Sequence, residues 1–537
     1  MFLRNTIYKS DIYNWSLRGS VPVRTRGTPP DSWVGEADAG TEVLAGNHVL
    51  FGHSRHLGDL PWKNSQLSDA EQRLLHRFGF LGDLKALGTE EAQAKGQELM
   101  SRWVNEYGRW HAIAWEPAVT GRRLTNWFRT YDFLQNPDHP GFALTFLESA
   151  ATQMRHLSRT LSDVEDDVRA IEAAEGLILG AMCLVGMEAL LDTGMAALES
   201  AITKQVLPDG GHFQRNPSIQ RSVLATMVRI RDTLIAGQVD TPYWLQHAID
   251  RLAPMLQAMR HSDGKLALFN GSSEGSKKAI DSILKAAGSS NLGLWSAPHT
   301  GFQRIESGSS VVIADAGAGI LSGSNRDAHA GLLSFEFSHK DHRIIVNCGA
   351  NANRNDDWHE ALRATAAHST LTLDDTNAME VYMGGGSVNK KTDVSCRRNE
   401  AEGSTSLQMR QDGYEHPFGL IHNRDIYLAA GGDDLRGRDA IAMSPNYMGP
   451  QASNFCVRFH LHPDVSAELA GGGDSAILKV SNKEGWRLRC SGGDMTVEDS
   501  AYLGVAGTVR RARQILISGP CKSVGVEVKW SLIKESS

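Results

Sequence analysis

The stretch that decides the fold runs from His329 to Asp374. It reads HAGLLSFEFSHKDHRIIVNCGA (329–350) and, after a polar loop, RATAAHSTLTLDD (363–375). Leu333, Phe335 and Phe337 alternate with Ser334, Glu336 and Ser338, the period-two pattern of a half-buried strand. Arg343 to Val346 reads as a second short strand that breaks at Asn347-Cys348-Gly349. His368 to Leu373 alternates again, with Leu371 and Leu373 on one face and Thr370 and Thr372 on the other. Two histidines, His329 and His368, thus stand near the starts of two strands, and Asn347 ends the strand between them. Before this stretch the text is helical; after it, more strands follow.

Working outward, residues 1–66 are rich in Gly, Pro and Asp and lack periodicity. With Trp33, Trp62 and GNHVLFGHSRH, they predict an irregular arm packed on a larger body. From Asp69 the apolar residues recur at three- and four-residue spacing: Leu74, Leu75, Phe78, Leu81 and Leu84, then Leu124, Trp127, Phe128, Tyr131 and Leu134. Similar sets surround Leu177–Leu191, Val223–Leu234 and Leu245–Met259. The breaks EPAVTG, NPDHPG, PDGG and DTP separate them. Amphipathic helices with no strands between them predict helix-on-helix packing over 67–295. SDGKLALFNGSSEGS and AAGSSNLGLWSAP mark the boundary. From 296 to 537, short strands such as SSVVIADAG, RDIYLAA, VRFHLH and QILISG alternate with Gly and Asp-Gly turns, predicting an antiparallel β-sandwich. The Gly runs at 384–386 and 471–473 lack the GK[ST] of a phosphate cradle and read as turns. HExxH does not occur.

Composition narrows the classes. The 537 residues are 41% hydrophobic and 22% charged with net charge -7, which fits a protein of more than one domain and gives no basic stripe for nucleic acid. No apolar run spans a membrane. MFLRNTIYKSDIYNWSLRG has no apolar core of a secretory signal, so the sequence alone predicts a cytoplasmic location. The six cysteines are scattered without CxxC, which predicts free thiols rather than disulfides or a structural zinc site.

WEPAVTGRRLTNWF, VLPDGGHFQRNP, DGKLALFNG, HAGLLSFEF, VNCG, RATAAHSTLTLDD and RFHLHP occur in this order, and with them the chain resembles the heparinase II/III-like proteins, most closely an alphaproteobacterial-type subgroup. The resemblance implies an N-terminal (α/α) toroid followed by an antiparallel β-sandwich, with a cleft between them. It also implies a polysaccharide lyase of the periplasm or cell envelope that cuts uronic-acid polymers by β-elimination. That chemistry neutralises the uronate carboxylate, removes the C5 proton with a base and protonates the departing O4.

Several positions depart from the family pattern. Glu175-Gly176 stand where relatives carry Asn or His, Ile219 and Gln220 where they carry the catalytic Tyr and its neighbouring His, and Asp327 where a strand histidine is common. A branched alkyl group moves no proton, and an anionic Glu repels a uronate. The polar residues that remain are His212, Arg215 and Asn216. They read either as base and carboxylate clamp or as a capping turn held by Asp209 and Asn216. Arg123, Asn126, Trp127 and Glu175 are the candidate substrate-binding residues, with Trp127 either stacking on a sugar or filling the core. Tyr414, in DGYEHPFGLIH with His422, is the candidate substitute for the missing Tyr. His329, Asn347 and His368 match positions that hold zinc in some relatives, with Asn for the usual Asp. Cys348 adjoins them, and His460 and His462 share a strand face. Two other readings stay open: a glycoside hydrolase using Glu116, Glu175 or Asp327, and a catalytically inactive glycan-binding protein.

Overall fold

The protein is described from a computed structural model. It covers residues 2–535 apart from 32–34, 137–139, 289–292, 319–327, 352, 354–356, 382–391, 445–446, 482–483 and 522–524. Trp33, Asp327 and the Gly run at 384–386 lie outside the described residues. The chain divides into two compact units. One comprises Met1–Gln205, Ser222–Asp250 and Lys285–Gly288; the other comprises Val206–Arg221, Arg251–Leu284 and Ser289–Ser537. The PDGGHFQRNP turn therefore belongs to the same unit as the strands of the sandwich.

The first unit is the helical toroid; its 1–66 stretch, expected to be irregular, holds three short helices (Phe2–Lys9, Asp11–Ser16 and Ala37–Leu44) and a hairpin of β1 (Asn47–Leu50) and β2 (His53–His56). Several of its helices begin where the sequence supplies caps. Ser68 and Glu71 form a reciprocal capping box for Asp69–His76, Thr89 caps Glu90–Tyr107 and Asp167 caps Val168–Cys183. The Leu75, Phe78, Leu81, Leu84 stripe is carried by two short helices, Asp69–His76 and Phe80–Leu87, with Phe78 at φ 59 between them. Val168–Cys183 is buried on every side from Ile171 to Cys183. It crosses Pro117–Leu134 in backbone contact: a Cβ on Gly176 would lie 2.3 Å from the Gly121 carbonyl oxygen. Glycine at 176 is thus set by helix packing.

The second unit holds the sandwich. Its strands are β3 (Ser296–Ala297), β4 (Phe302–Ser307), β5 (Ser310–Asp315), β6 (Phe335–His339), β7 (His342–Val346), β8 (Leu371–Leu373), β9 (Val394–Ala401), β10 (Ser404–Gln411), β11 (Leu420–Leu428), β12 (Asp434–Met443), β13 (Asn454–Leu461), β14 (Ser466–Ala470), β15 (Ser475–Ser481), β16 (Glu484–Ser491), β17 (Asp494–Tyr502), β18 (Arg510–Pro520) and β19 (Val526–Lys534). One sheet runs β14-β15-β16-β19-β12-β11-β10-β9. The other runs β17-β18-β13-β7-β6-β5-β4-β3, with β8 paired to β13. Their inner faces meet in one apolar core, where Phe335 stacks on Trp530 with an interplanar angle of 1° and Phe337 meets Trp486 edge-on.

The deciding stretch differs from its sequence pattern in two ways. The first strand starts only at Phe335, because Leu332–Ser334 is a turn with Leu333 at φ 57. It is also buried on both faces, not half-buried. The polar face is covered by the 261–268 segment, whose His261 and Leu268 bind Glu336. Among the described residues no helix is long and apolar enough to cross a membrane.

Candidate functional site

The PDGGHFQRNP turn is built by its own polar side chains. Asp209 accepts from the Gly211 N–H (3.1 Å), the Thr300 N–H (2.7 Å) and the Thr300 hydroxyl (2.8 Å). Gly210 sits at φ +83 with the Arg251 carbonyl 2.1 Å from where a Cβ would be, so only glycine fits. Gln220 accepts from the His212 N–H (2.8 Å) and donates to the Gly210 and Leu252 carbonyls. It has become a clamp on the turn. Asn216 caps the helix Pro217–Ala236 through Oδ1, accepting from the Ser218 and Ile219 N–H groups, and its Nδ2 donates to the Asn270 carbonyl at 2.7 Å.

Arg215 holds the turn to the sandwich sheet. It adopts φ 55, donates through Nε to the Thr300 carbonyl (2.7 Å) and through Nη1 to the Ala318 carbonyl (3.2 Å), and forms an ion pair with Asp315. Arg215 and Asp315 are both buried. Burial raises the Asp315 carboxyl above its ordinary range, while Arg215 and the Gly317 N–H pull it down. His212 is also buried, and its Nδ1 accepts from the Gln214 N–H. Desolvation lowers its pKa to about 3, which keeps the ring neutral at pH 7.

Asn270 links this turn to the histidines. Its Nδ2 donates to the Arg215 carbonyl (3.2 Å) and its Oδ1 accepts from the His329 N–H (3.3 Å). His329 Nδ1 lies 3.2 Å from His368 Nε2, with the rings edge to face. His368 Nδ1 contacts the Ala364 carbonyl at 2.8 Å, which places a proton on Nδ1 and leaves Nε2 to accept from His329. Burial pushes His368 down to about 4 and His329 well below its ordinary value. Gly331 leaves room for the pair: a Cβ there would come within 2.6 Å of the His368 ring.

Asn347 belongs to the sheet rather than to a ligand set. Its Oδ1 accepts from the Ser369 N–H (3.0 Å), its Nδ2 donates to the Leu268 carbonyl (3.2 Å) and its N–H donates to Glu336 (2.9 Å). Among the described residues no group of three or more His, Cys, Asp or Glu side chains is placed to hold a metal. Zinc sites use three or four such donors, so two imidazoles beside a committed amide do not fit the zinc that the resemblance implies.

Other candidates lie elsewhere in the sandwich unit. Tyr414 is fully buried and its hydroxyl donates to the Leu371 carbonyl (2.9 Å); burial raises its pKa. His422 is held by Asp439 at 2.8 Å in a buried group with Arg424. His460 and His462 do not share a strand face. β13 ends at Leu461, His460 contacts Ser500 and Cys348, and His462 lies beyond the strand end against Tyr502. Burial pushes the Cys348 thiol up to about 12, so it is a packed, unreactive group.

In the toroid unit, Glu175 is fully buried. It accepts from Arg122 (3.0 Å) and Thr226 (3.2 Å) and pairs with Arg229. Arg122 also binds Glu172, and Glu116 is gripped by both ends of Arg73 at 2.7 Å. Of the three carboxylates proposed for hydrolysis, Glu116 and Glu175 are each held by arginine, and Asp327 lies outside the described residues. Arg123 is buried over the Trp103 ring and donates to Gln153 and to the His76 and Ala114 carbonyls; Asn126 donates to the Arg77 carbonyl; Trp127 is core.

The sequence pattern did not reveal Glu336, which binds His261 at 2.7 Å and the N–H groups of Leu268 and Asn347. Asp315 and Asn270 were also missed. The available signal was an acid inside an apolar strand, SSVVIAD, and a Glu between two phenylalanines.

A helical toroid and an antiparallel sandwich define the class of heparinase-fold proteins. The chain belongs to the heparinase II/III-like family: the Heparinase II/III N-terminus model matches residues 44–289, and the Heparinase II/III-like, C-terminal model matches 290–531. It is 30% identical over 514 residues to FtsZ-localized protein C of Caulobacter vibrioides, covering 92% of this chain and 88% of that protein. Heparinase III has the same fold, with a TM-score of 0.73 at 13% identity over 99% of this chain and 91% of that one. A mutant of the heparan sulfate lyase HepC from Pedobacter heparinus aligns with a TM-score of 0.66 at 15% identity, over 93% and 83%.

Proposed function

We propose that this protein recognises a uronic-acid-containing polysaccharide and does not cut it. The polymer class is taken from the family, and the observation that argues against cleavage is the state of Arg215. A carboxylate clamp needs an open guanidinium fork, and this one already holds Asp315 and two backbone carbonyls. The family positions tell the same story: Gln220 is spent on the turn, and Glu175 is neutralised by Arg122 and Arg229. The related FtsZ-localized protein C is named for where it sits and not for a reaction.

A second reading, β-elimination by a rearranged site, is favoured by one feature. His329 and His368 are held neutral by burial 3.2 Å apart, with the His329 N–H on the Asn270 side chain, so the pair supplies a base. Incubation with alginate, polygalacturonate and heparan sulfate separates the two. Co-sedimentation without ultraviolet absorbance or new reducing ends supports recognition. Absorbance from a C4=C5 double bond assigns the lyase, and reducing ends without absorbance assign a hydrolase.

A further inference from the structure

Arg221 is a half-buried arginine without a carboxylate beside it. Elsewhere in the sandwich unit, interior arginines meet one: Arg260 faces Asp281, Arg343 faces Asp263, Arg363 faces Glu360 and Arg424 faces Asp439. Among the described residues, the Arg221 guanidinium makes no ion pair and no hydrogen bond. Burial lowers its pKa, and no acid offsets that. Glu274, next to Gly275 in the facing segment, is turned instead to Lys265 (2.6 Å) and the Tyr502 hydroxyl (2.6 Å). Taking a charge partly out of water without a partner costs stability. Such a cost is characteristic of a group kept for a ligand.

The surroundings are polar and open to solvent. Gly275, at φ +67, leaves room for the side chain: a Cβ there would lie 3.3 Å from Arg221 Nη1. Ser218 lies one turn earlier on the same face of the helix Pro217–Ala236. Its Oγ accepts from the Ser273 N–H at 3.1 Å and lies 3.0 Å from Ser272 Oγ and 3.4 Å from Ser273 Oγ. These contacts continue the pairing of Asn216 with Asn270, so the 216–221 and 270–275 segments run side by side with a polar strip between them. At one end of the strip Asn270 receives the His329 N–H. At the other, Arg221, Ser218 and Ser273 are only half-buried, and a solute reaches them there.

We infer that Arg221 grips the carboxylate of a uronate in the bound polymer, the task for which Arg215 is no longer free. A planar guanidinium fork matches the two oxygens of a carboxylate, and the neighbouring serine hydroxyls suit the hydroxyls of a sugar. The inference rests on recognition of an acidic polysaccharide. It supplies a grip and no proton transfer: Ile219 is an alkyl group and Gln220 an amide already spent on the turn.

Titration calorimetry of the full chain tests it, using tetramers of galacturonate and of mannuronate and an unsulfated glucuronate–glucosamine tetrasaccharide, each beside its carboxyl-reduced form. At least one acid should bind at least about tenfold more tightly than its reduced form. Arg221→Met, which keeps the length and drops the charge, should abolish that preference. Arg221→Lys, which keeps the charge and drops the fork, should lose most of it. Without ligand, Arg221→Met should melt no lower than the wild type, because the charge it removes has no partner. A preference for the acid retained in Arg221→Met would overturn the inference while polymer recognition stands, and a markedly lower ligand-free midpoint would make Arg221 a structural group. If no tetramer binds the wild type, melting in free galacturonate, mannuronate or glucuronate separates the two readings. A midpoint raised in the wild type and not in Arg221→Met keeps the carboxylate site and discards the polymer; no rise overturns both. An equal rise in sulfate would overturn the choice of a carboxylate.

Discussion

Replacing Arg215 by alanine separates a structural clasp from a substrate clamp. The substitution leaves the Asp315 carboxylate buried with the Gly317 N–H at 3.1 Å as its remaining donor, and strips the Thr300 and Ala318 carbonyls of their partner. Breaking a buried ion pair by removing one member costs about 3–5 kcal/mol, most of it from the stranded charge. At roughly 2–4 °C per kcal/mol for a unit of this size class, the unfolding midpoint should fall by roughly 6–20 °C. Asp315→Ala in the same background should recover much of that, since the isolated carboxylate is then gone. The assay is calorimetric or circular-dichroism melting of the two single variants and the double variant, alongside polysaccharide co-sedimentation below the lowest midpoint. A midpoint unchanged in Arg215→Ala, with binding lost, would refute the clasp and return Arg215 to the substrate.

Other consequences are as direct. Gly176→Ala puts a Cβ 2.3 Å from the Gly121 carbonyl oxygen; overpacking of about 1–3 kcal/mol should outweigh the ~1 kcal/mol gain in helix propensity, and a raised midpoint would contradict the crossing. His156, His212 and His460 are pushed by burial to about 4, about 3 and about 3 from the ordinary 6.5. Between pH 6.5 and those values the unfolded chain binds the extra protons, so their contribution is whole above pH 6.5 and is lost as pH falls, by ~1.4 kcal/mol per ring per pH unit. Urea midpoints should drop steeply from pH 6.5 to 4.5, and a flat profile would show that these rings are not buried neutral. Elemental analysis should find less than stoichiometric zinc, with the same melting midpoint in chelator. One equivalent lost in His368→Ala would restore the metal site.

Much of the architecture was legible because it rests on periodicity. The Leu124–Trp127–Tyr131 stripe and the Phe335–Phe337 alternation state which faces are apolar, and in both cases those faces make the core. What periodicity misses is a polar residue buried with a partner distant in sequence. Glu336 occupies a position that alternation gives to solvent, yet its partners are His261 and Leu268. The same limit applies at the turn. Arg215 and Asn216 stand out as chemistry-bearing types, but their bonds to Asp315 and Asn270 span 100 and 54 residues. Convergence of His329 and His368 was beyond reach for a related reason: both rings lie in the turns before β6 and β8, where strand alternation does not specify direction.

The claim that this heparinase-fold protein binds an acidic polymer without cleaving it is tested most directly by following ultraviolet absorbance while alginate, polygalacturonate and heparan sulfate are each held with the protein under conditions where co-sedimentation shows binding. Retained polymer and a flat trace are expected for every one. A rising trace with any of them, abolished in His329→Ala while that variant still melts like the wild type, would contradict it.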